Sequence, residues 1–487
     1  MESIWKKQTE IESRNALDTC DKVDGVMHRE VVVIGAGMAG ILTAYFLQER
    51  GMDVIVLDAD RIASGQTGNT TAKITSQHGI KYSNLIKNVG RKKAMLYAHA
   101  NESAIKEYER IINEKHIDCN FEKLPAYLYT LEDEEVLKKE ADAASSLGIN
   151  AYFTRKTGLP FPVKGAVCFE NQAQFQPLAF IKAISTNVEI FENTKVVDID
   201  IGKGRIVTEK GIIIADRIVV ATHYPIFNFP GLYFLREHQE RSYVIALKGS
   251  KKLDGMYYGV DEGGISLRSA GDLLLLGGNS HRTGENKVGG VYDRLKLAAD
   301  RYFPECEETA RWSAQDCMPH DGIPFIGKYS CWSNKIYVAT GFQKWGMTTS
   351  MVAAMVLADM ISGRDNPYVR LFTPQRCNVR ASVKNLCIDV GQSVKGLTKG
   401  AFHMPKEKAA DLECGHGGIV QIDGERYACY RDMDGKMHKM SARCPHLGCE
   451  LTWNPDECSW DCPCHGSRFD VDGNLLDNPS RHRVDNR

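Results

Sequence analysis

The chain has 487 residues, too many for one ordinary core and enough for two or three domains. With 43% hydrophobic and 25% charged residues it sits at the globular average, which excludes wholesale disorder and a fibrous class. Lys+Arg (61) and Asp+Glu (62) leave a net charge of -1, without the basic excess of a dedicated nucleic-acid binder.

Residues 1–27 read as a polar leader. MESIWKKQTEIESRN has no apolar h-region and no twin-Arg pair, so the expected location is the cytoplasm. Residues 31–47 are wholly uncharged, yet Gly35, Gly37 and Gly40 fit a strand-turn-helix better than a spanning helix, and no transmembrane segment is expected. Residues 30–34 read as a buried strand, 38–50 as a helix and 53–57 as a second strand, a β-α-β unit. Residues 91–145 are helical in pattern and charge-rich. Residues 192–222 alternate apolar runs with Gly and charged turns, and further strands are expected at 243–247 and 273–276. A second strand-Gly-helix passage is KIYVATGFQKWGMTTSMVAAMVLADMI. Residues 371–409 read as a linker. Beyond it, 418–422, 425–430 and 436–440 read as short strands of a small all-β module.

Two stretches carry chemistry. Gly35-Ala36-Gly37-Met38-Ala39-Gly40 follows one strand and opens a helix: Gly35 allows a tight turn, Gly37 lets backbone amides approach a pyrophosphate, and Gly40 permits close packing. Asp58 ends the next strand, 18 residues past Gly40, where a carboxylate accepts hydrogen bonds from ribose hydroxyls. The small-polar loop 64–73 can wrap a cofactor. The turn at 339–349 precedes a helix whose N-terminus can face a flavin carbonyl, although such a turn is also an ordinary strand-helix junction.

The second stretch is richer in cysteine. Seven of the 15 cysteines follow residue 400, where even spacing gives about three. Cys444-Pro445-His446 and Cys462-Pro463-Cys464-His465 each offer one Cys and one His. Tetrahedral zinc also takes two of each, but usually from C-x2–4-C and H-x3–5-H pairs. A Rieske [2Fe–2S] centre needs two thiolates on one iron and two imidazoles on the other, which this arrangement supplies.

VVVIGAGMAG, TGNTTAKIT, ADRIVVAT, DGIPFIG and YVATGFQKWGMTTS together resemble the D-amino-acid-oxidase-like family of FAD-dependent amine and amino-acid oxidoreductases, over residues 28–370. The resemblance implies that Gly35, Ala36, Gly37, Gly40 and Asp58 hold the ADP half of FAD. Val196 would meet adenine, and Thr70, Thr71, Gly341, Lys344, Gly346, Met347 and Thr348 would lie near the flavin. One departure is His223, which stands in the turn ATHYP where such turns often have Gly and reads most simply as a surface residue. Arg268 is the candidate for a substrate carboxylate, with His78, His281 and Tyr243 behind it. Cys317 reads as a buried thiol.

Residues 410–487 resemble the Rieske family. That match implies Cys444, His446, Cys462 and His465 as ligands, with Cys449 and Cys464 forming a disulfide over the cluster. Ser467 would donate to a bridging sulfide and raise the potential. Phe469 replaces the Tyr of high-potential members, so the expected potential lies below the top of the ~−150 to +300 mV range. The ending Asn478-Pro479-Ser480 and the polar RHRVDNR depart from the usual Gly-Pro-Ala turn and apolar closing strand, so either weaker closure or a truncated chain is expected. Cys414 and Cys458 have no assigned role beyond packing.

The expected fold is an α/β, Rossmann-like FAD-binding domain with a mixed β substrate domain, plus a small all-β Rieske domain. The cofactors implied are FAD and one [2Fe–2S] cluster. The expected function is oxidation of a small-molecule amine or amino acid at the C–N bond, with electrons passing through the cluster to an external acceptor. The alternative is an electron-transfer flavoprotein or redox sensor reduced by a partner, without an organic substrate.

Overall fold

The computed structural model describes residues 2–15, 17, 26–378 and 409–485, together with 382, 387, 388 and 391. Most of the expected linker lies outside the described residues. Its first part is anchored: Arg376 is paired with Asp321 at 2.7 Å, both side chains 5% exposed.

Strand Val26–Ile34, helix Met38–Gln48 and strand Val54–Leu57 build the first β-α-β unit. A parallel strand is covered on both faces, which is why VVVI is apolar at consecutive positions; Val31, Val32 and Val33 are fully buried. Ile34 pairs in parallel with Leu57 on one side and Val220 on the other. Strand Ile336–Thr340 continues the sheet in parallel beyond Gly211–Val220, and Glu189–Phe191 does so beyond Val54–Leu57. Helices Met38–Gln48 and Gly346–Ile361 pack against each other over this sheet. A crevice at the carboxyl ends of such strands is the usual ligand position.

A second, nine-stranded mixed sheet forms the other half of this module. It takes in a strand where only helix is expected. Glu122–Thr130 separates helix Arg91–Glu114 from helix Glu134–Ser146. Its inward residues Ala126 and Leu128 are buried, a period-2 run too short to stand out between two long charged helices.

The C-terminal module holds a three-stranded sheet (Gly417–Ile422, Glu425–Arg431, Met437–Ser441) and a four-stranded one (Thr452–Asn454, Ser459–Asp461, Arg468–Phe469, Leu475–Asp477). The expectation of weak closure does not hold. Val484 is fully buried in the module core with Trp460 and Phe469, and its N–H donates to Gly473 O at 2.9 Å. The Ser441 N–H donates to Asp485 O at 3.0 Å. One apolar side chain in RHRVDNR is enough to seal the core.

The leader is not simply a solvated tail. Ile4–Gln8 is helical, with Ile4 and Trp5 buried. Among the described residues no helix is long and apolar enough to cross a membrane.

Candidate active site and cluster site

A cavity of about 370 Å³ runs from the glycine turn to the start of helix Gly346–Ile361. Gly35, Gly37, Asp58, Thr70, Val196, Lys344, Gly346 and Met347 line it. Gly35 has φ +107, and a Cβ there would sit 2.5 Å from Ala221 O, so no other residue fits the turn. The Asp58 carboxylate accepts from Ala36 N at 2.6 Å and Asp60 N at 2.9 Å. Burial nevertheless pushes its pKa up, a cost that hydrogen bonds from ribose hydroxyls would offset.

Other expected contacts stand behind the wall. A Cβ on Gly40 would lie 1.9 Å from Gly35 O, so this glycine serves helix packing. The Thr348 hydroxyl donates to Thr75 O at 2.8 Å and accepts from Thr75 N at 2.9 Å, tying helix to strand. Ala36 and Gly341 are likewise absent from the cavity lining, and Thr71 faces a second cavity.

The leader braces the wall from behind, which the sequence did not signal. Trp5 Nε1 donates to Thr70 O at 2.6 Å, Lys6 Nζ to Ser64 O at 2.7 Å, and the Ser3 hydroxyl to Gly68 O. These bonds clamp the small-polar loop against the cavity.

The second cavity, about 700 Å³, shares Thr70, Ala314, Asp316, Lys344, Gly346 and Met347 with the first. Lys344 lies 3.3 Å from Glu240, and burial raises the Asp316 carboxyl to about 6. Tyr243 and His281 line this cavity, their Oη and Nε2 3.0 Å apart. Arg268 does not. Its guanidinium donates to the carbonyls of Thr71 and Ala72 at 2.8 and 2.6 Å, bracing the loop. His78 is also set back: its ring nitrogens lie 2.7 Å from Tyr97 Oη and Thr75 O, and its ring stacks on Trp345. Lys344 and Arg294 do line the cavity, as does Lys73. Its Nζ donates to Tyr257 O at 3.1 Å and to the Ser266 hydroxyl, and burial with the neighbouring Arg268 charge brings it down to about 7.

His223 is not on the surface. It lines the first cavity, with Nε2 buried and without a hydrogen-bond partner. Its φ of +65 explains why Gly is common in such turns. Cys317 is fully buried, as expected. Cys414 and Cys458 are exposed rather than packed.

In the C-terminal module Cys449 and Cys464 form a disulfide. The sulfurs of Cys449, Cys462 and Cys464 lie within 4.8 Å of one another, but the disulfide leaves only Cys462 of these three as a thiolate. Beside it is Cys444, also free and buried. The hydrogen bond from Cys444 lowers the Cys462 thiol against the effect of burial, helped by the N–H groups of His465, Cys464 and Gly466. The rings of His446 and His465 lie 5.0 Å apart. Burial holds His446 near 4, so its imidazole is neutral, and its Nδ1 is buried without a hydrogen-bond partner. Two free thiols beside two histidine rings, one of them with an orphaned ring nitrogen, fit a [2Fe–2S] centre. Ser467, fully buried, accepts from Ser480 N at 2.9 Å, leaving its O–H for the Cys444 side.

The two sites abut. Leu475, Leu476, Asp477 and Asn478 of the C-terminal module line the first cavity. Gln239 Nε2 donates to His465 O and Asn478 O, both at 2.8 Å. Gln315 Nε2 donates to Gln239 Oε1 at 2.6 Å and Gly466 O at 2.8 Å. Arg241, 2% exposed, is paired with Glu457.

Comparison with known proteins agrees with this division. The FAD dependent oxidoreductase (DAO) family matches residues 30–360, and the Rieske [2Fe-2S] domain matches residues 403–486. YhfW of Bacillus subtilis (strain 168), a putative Rieske 2Fe-2S iron-sulfur protein, is 37% identical over 494 positions, covering 98% of this chain and 96% of that protein. L-proline dehydrogenase from P. horikoshii superposes with a TM-score of 0.61 at 19% identity, covering 72% of this chain and 98% of that one. Glycine oxidase from Geobacillus kaustophilus gives 0.59 at 17% identity, covering 72% and 99%. At those identities the likeness establishes the fold. The chain belongs to the FAD dependent oxidoreductase (DAO) family and carries a C-terminal Rieske domain, so its cofactors are FAD and a [2Fe–2S] cluster.

Proposed function

We propose that this FAD-dependent oxidoreductase oxidises an amine or amino acid at the C–N bond and passes the electrons through the Rieske cluster to an external acceptor. The observation that carries the reading is the position of the first cavity. It shares six lining residues with a larger cavity on one side, and residues 475–478 of the Rieske module wall it on the other. When bound, FAD takes a hydride from the carbon next to nitrogen, and a [2Fe–2S] cluster takes up electrons singly.

In this reading Gly35, Gly37, Asp58 and Val196 hold the ADP half, and Thr70, Lys344, Gly346 and Met347 hold the flavin. The N-terminus of helix Gly346–Ile361 favours negative charge at its end of the cavity. The larger cavity receives the substrate. Lys73 takes the role expected of Arg268: a substrate carboxylate beside its Nζ would restore the charge that burial weakens. Glycine oxidase and L-proline dehydrogenase, two fold neighbours, are named for amino-acid substrates, which supports an amino-acid or amine substrate here.

Anaerobic mixing of the holoenzyme with a panel of amines and amino acids, read by flavin absorbance and Rieske EPR, tests the proposal. Bleaching by one compound, followed by the reduced-cluster signal, is the expected result. If dithionite reduces both centres and no compound does, a partner-fed electron carrier replaces this reading.

A further inference from the structure

We infer that Asn228, a residue of the oxidase half, is a positioning residue for the Rieske cluster, accepting a hydrogen bond from the outer ring nitrogen of the ligand His446. Its Oδ1 lies 2.7 Å from His446 Nε2. The other ring nitrogen, Nδ1, is buried and lacks any hydrogen-bond partner. A neutral imidazole has one N–H and one lone pair. If Nδ1 gives its lone pair to iron, Nε2 carries the hydrogen, and the amide atom facing it must be the oxygen. The contact therefore fixes both the tautomer and the Asn rotamer.

The segment bearing Asn228 is held in place. Asn228 O accepts from Leu232 N at 2.9 Å. Phe234, a few residues on, sets its ring edge-on to both ligand histidines, with centroids 6.3 Å from His446 and 5.8 Å from His465. Thr222, His223 and Ile226, just before it, line the flavin cavity. One short segment thus touches the flavin cavity at one end and the cluster ligands at the other. The oxidase half completes the cluster's surroundings, and the cluster's properties depend on the docked state. This inference goes beyond the proposed reaction and holds whatever the substrate.

An acceptor on the outer N–H makes the imidazole a stronger donor to iron. That favours the oxidised cluster and lowers its reduction potential. Replacing Asn228 by Leu removes the acceptor and should shift the potential up. Replacing it by Asp strengthens the acceptor with a charge and should shift the potential down. A loosened interface alone would move both variants the same way.

The measurement is an EPR-monitored redox titration of the full-length holoenzyme, with iron and flavin content per chain as controls. The expected order is Asn228→Asp lowest, wild type between, and Asn228→Leu highest, with g-values altered in both variants. Equal potentials, or shifts of the same sign with cluster content intact, overturn the inference. If Asn228→Leu does not retain the cluster, Asn228→Ser, which keeps a shorter acceptor, is compared with Asn228→Asp, and equal potentials in that pair overturn it too.

Discussion

Arg241 of the oxidase half is the pivot of the docked interface, and replacing it by Met is the sharpest test of how firmly the modules are joined. Its guanidinium reaches Glu457, the Ser313 hydroxyl and, at 3.6 Å, Asp477. Arg468 contacts the same two carboxylates and Asp461, at 3.0 Å. Two guanidiniums thus face three carboxylates, leaving one excess negative charge. Arg241→Met raises the excess to two in a site where Asp461 is fully buried and Glu457 is 7% exposed. Breaking a buried pair by removing one partner costs about 3–5 kcal/mol, and the partial exposure of Asp477 favours the low end. Against the effect of burial, Arg241, Arg468 and Ser313 together hold the Glu457 carboxyl at about 2 against an ordinary 4.5, so the whole network contributes roughly 3 kcal/mol through this group. Glu457→Gln, by contrast, neutralises the excess charge and should cost less. Urea denaturation at neutral pH, read by visible circular dichroism of the cluster, should show Arg241→Met lowering the midpoint by about 1 M. The double variant should recover part of the loss, with a coupling of about 1–3 kcal/mol. Because the folded value of Glu457 is depressed, its contribution is fully present above pH 4.5 and drains as pH falls towards 2. A loss below about 1 kcal/mol for Arg241→Met, as for a surface pair, together with an additive double variant, would refute the argument.

Three further outcomes are expected. Lys73→Met should raise KM for a carboxylate-bearing substrate by about tenfold or more with little change in kcat. In the wild type kcat/KM should fall as pH rises through about 7, where Lys73 loses its charge; a pH-independent KM shared by wild type and variant would count against Lys73. Deleting residues 2–8 removes the Ser3, Trp5 and Lys6 clamps on loop 64–70, and the purified protein should bind FAD more weakly, measured by flavin released on gel filtration, while cluster content is unchanged. Val484→Ala should cost the Rieske module about 2 kcal/mol, read as earlier loss of the cluster's visible bands in urea; an unchanged midpoint would mean that the tail does not close the core.

The sequence disclosed those features whose physics is local. A glycine turn between an apolar strand and a helix, and two loops each bearing Cys and His, need only nearest-neighbour reasoning, and the structure brings each set together. Strand Glu122–Thr130 was hidden because its alternation spans few residues between charged helices. The placement of Arg268 was hidden for a different reason. A lone Arg in a strand looks available to a ligand, and only tertiary contact shows its Nη1 turned to the carbonyls of Thr71 and Ala72. Lys73 sits in TGNTTAKIT without standing out there, and the Trp5 clamp carries no motif. Lys73 becomes distinctive only once burial removes its water, and Trp5 only once the chain folds back 65 residues onto Thr70.

Two of the places where the chain departs from its families are two sides of one contact. In the oxidase half, His223 takes a left-handed conformation in a turn that often has Gly, and the flanking carbonyls of Thr222 and Tyr224 point out of it. In the Rieske module, Asn478 stands where Gly is usual. Its side-chain amide donates to Thr222 O at 3.1 Å and Tyr224 O at 3.0 Å, while its own carbonyl accepts from Gln239. Glycine at 478 would leave both turn carbonyls without that amide donor at the edge of the first cavity, a loss of about 1 kcal/mol for each hydrogen bond. Ser480, the next departure, donates its N–H to the Ser467 hydroxyl that serves the cluster side. A Rieske module ending in the usual way could fold but could not clasp this turn. The residues at 223 and 478 therefore fit one another: the Asn478 amide caps the two carbonyls that flank His223 at the edge of the first cavity.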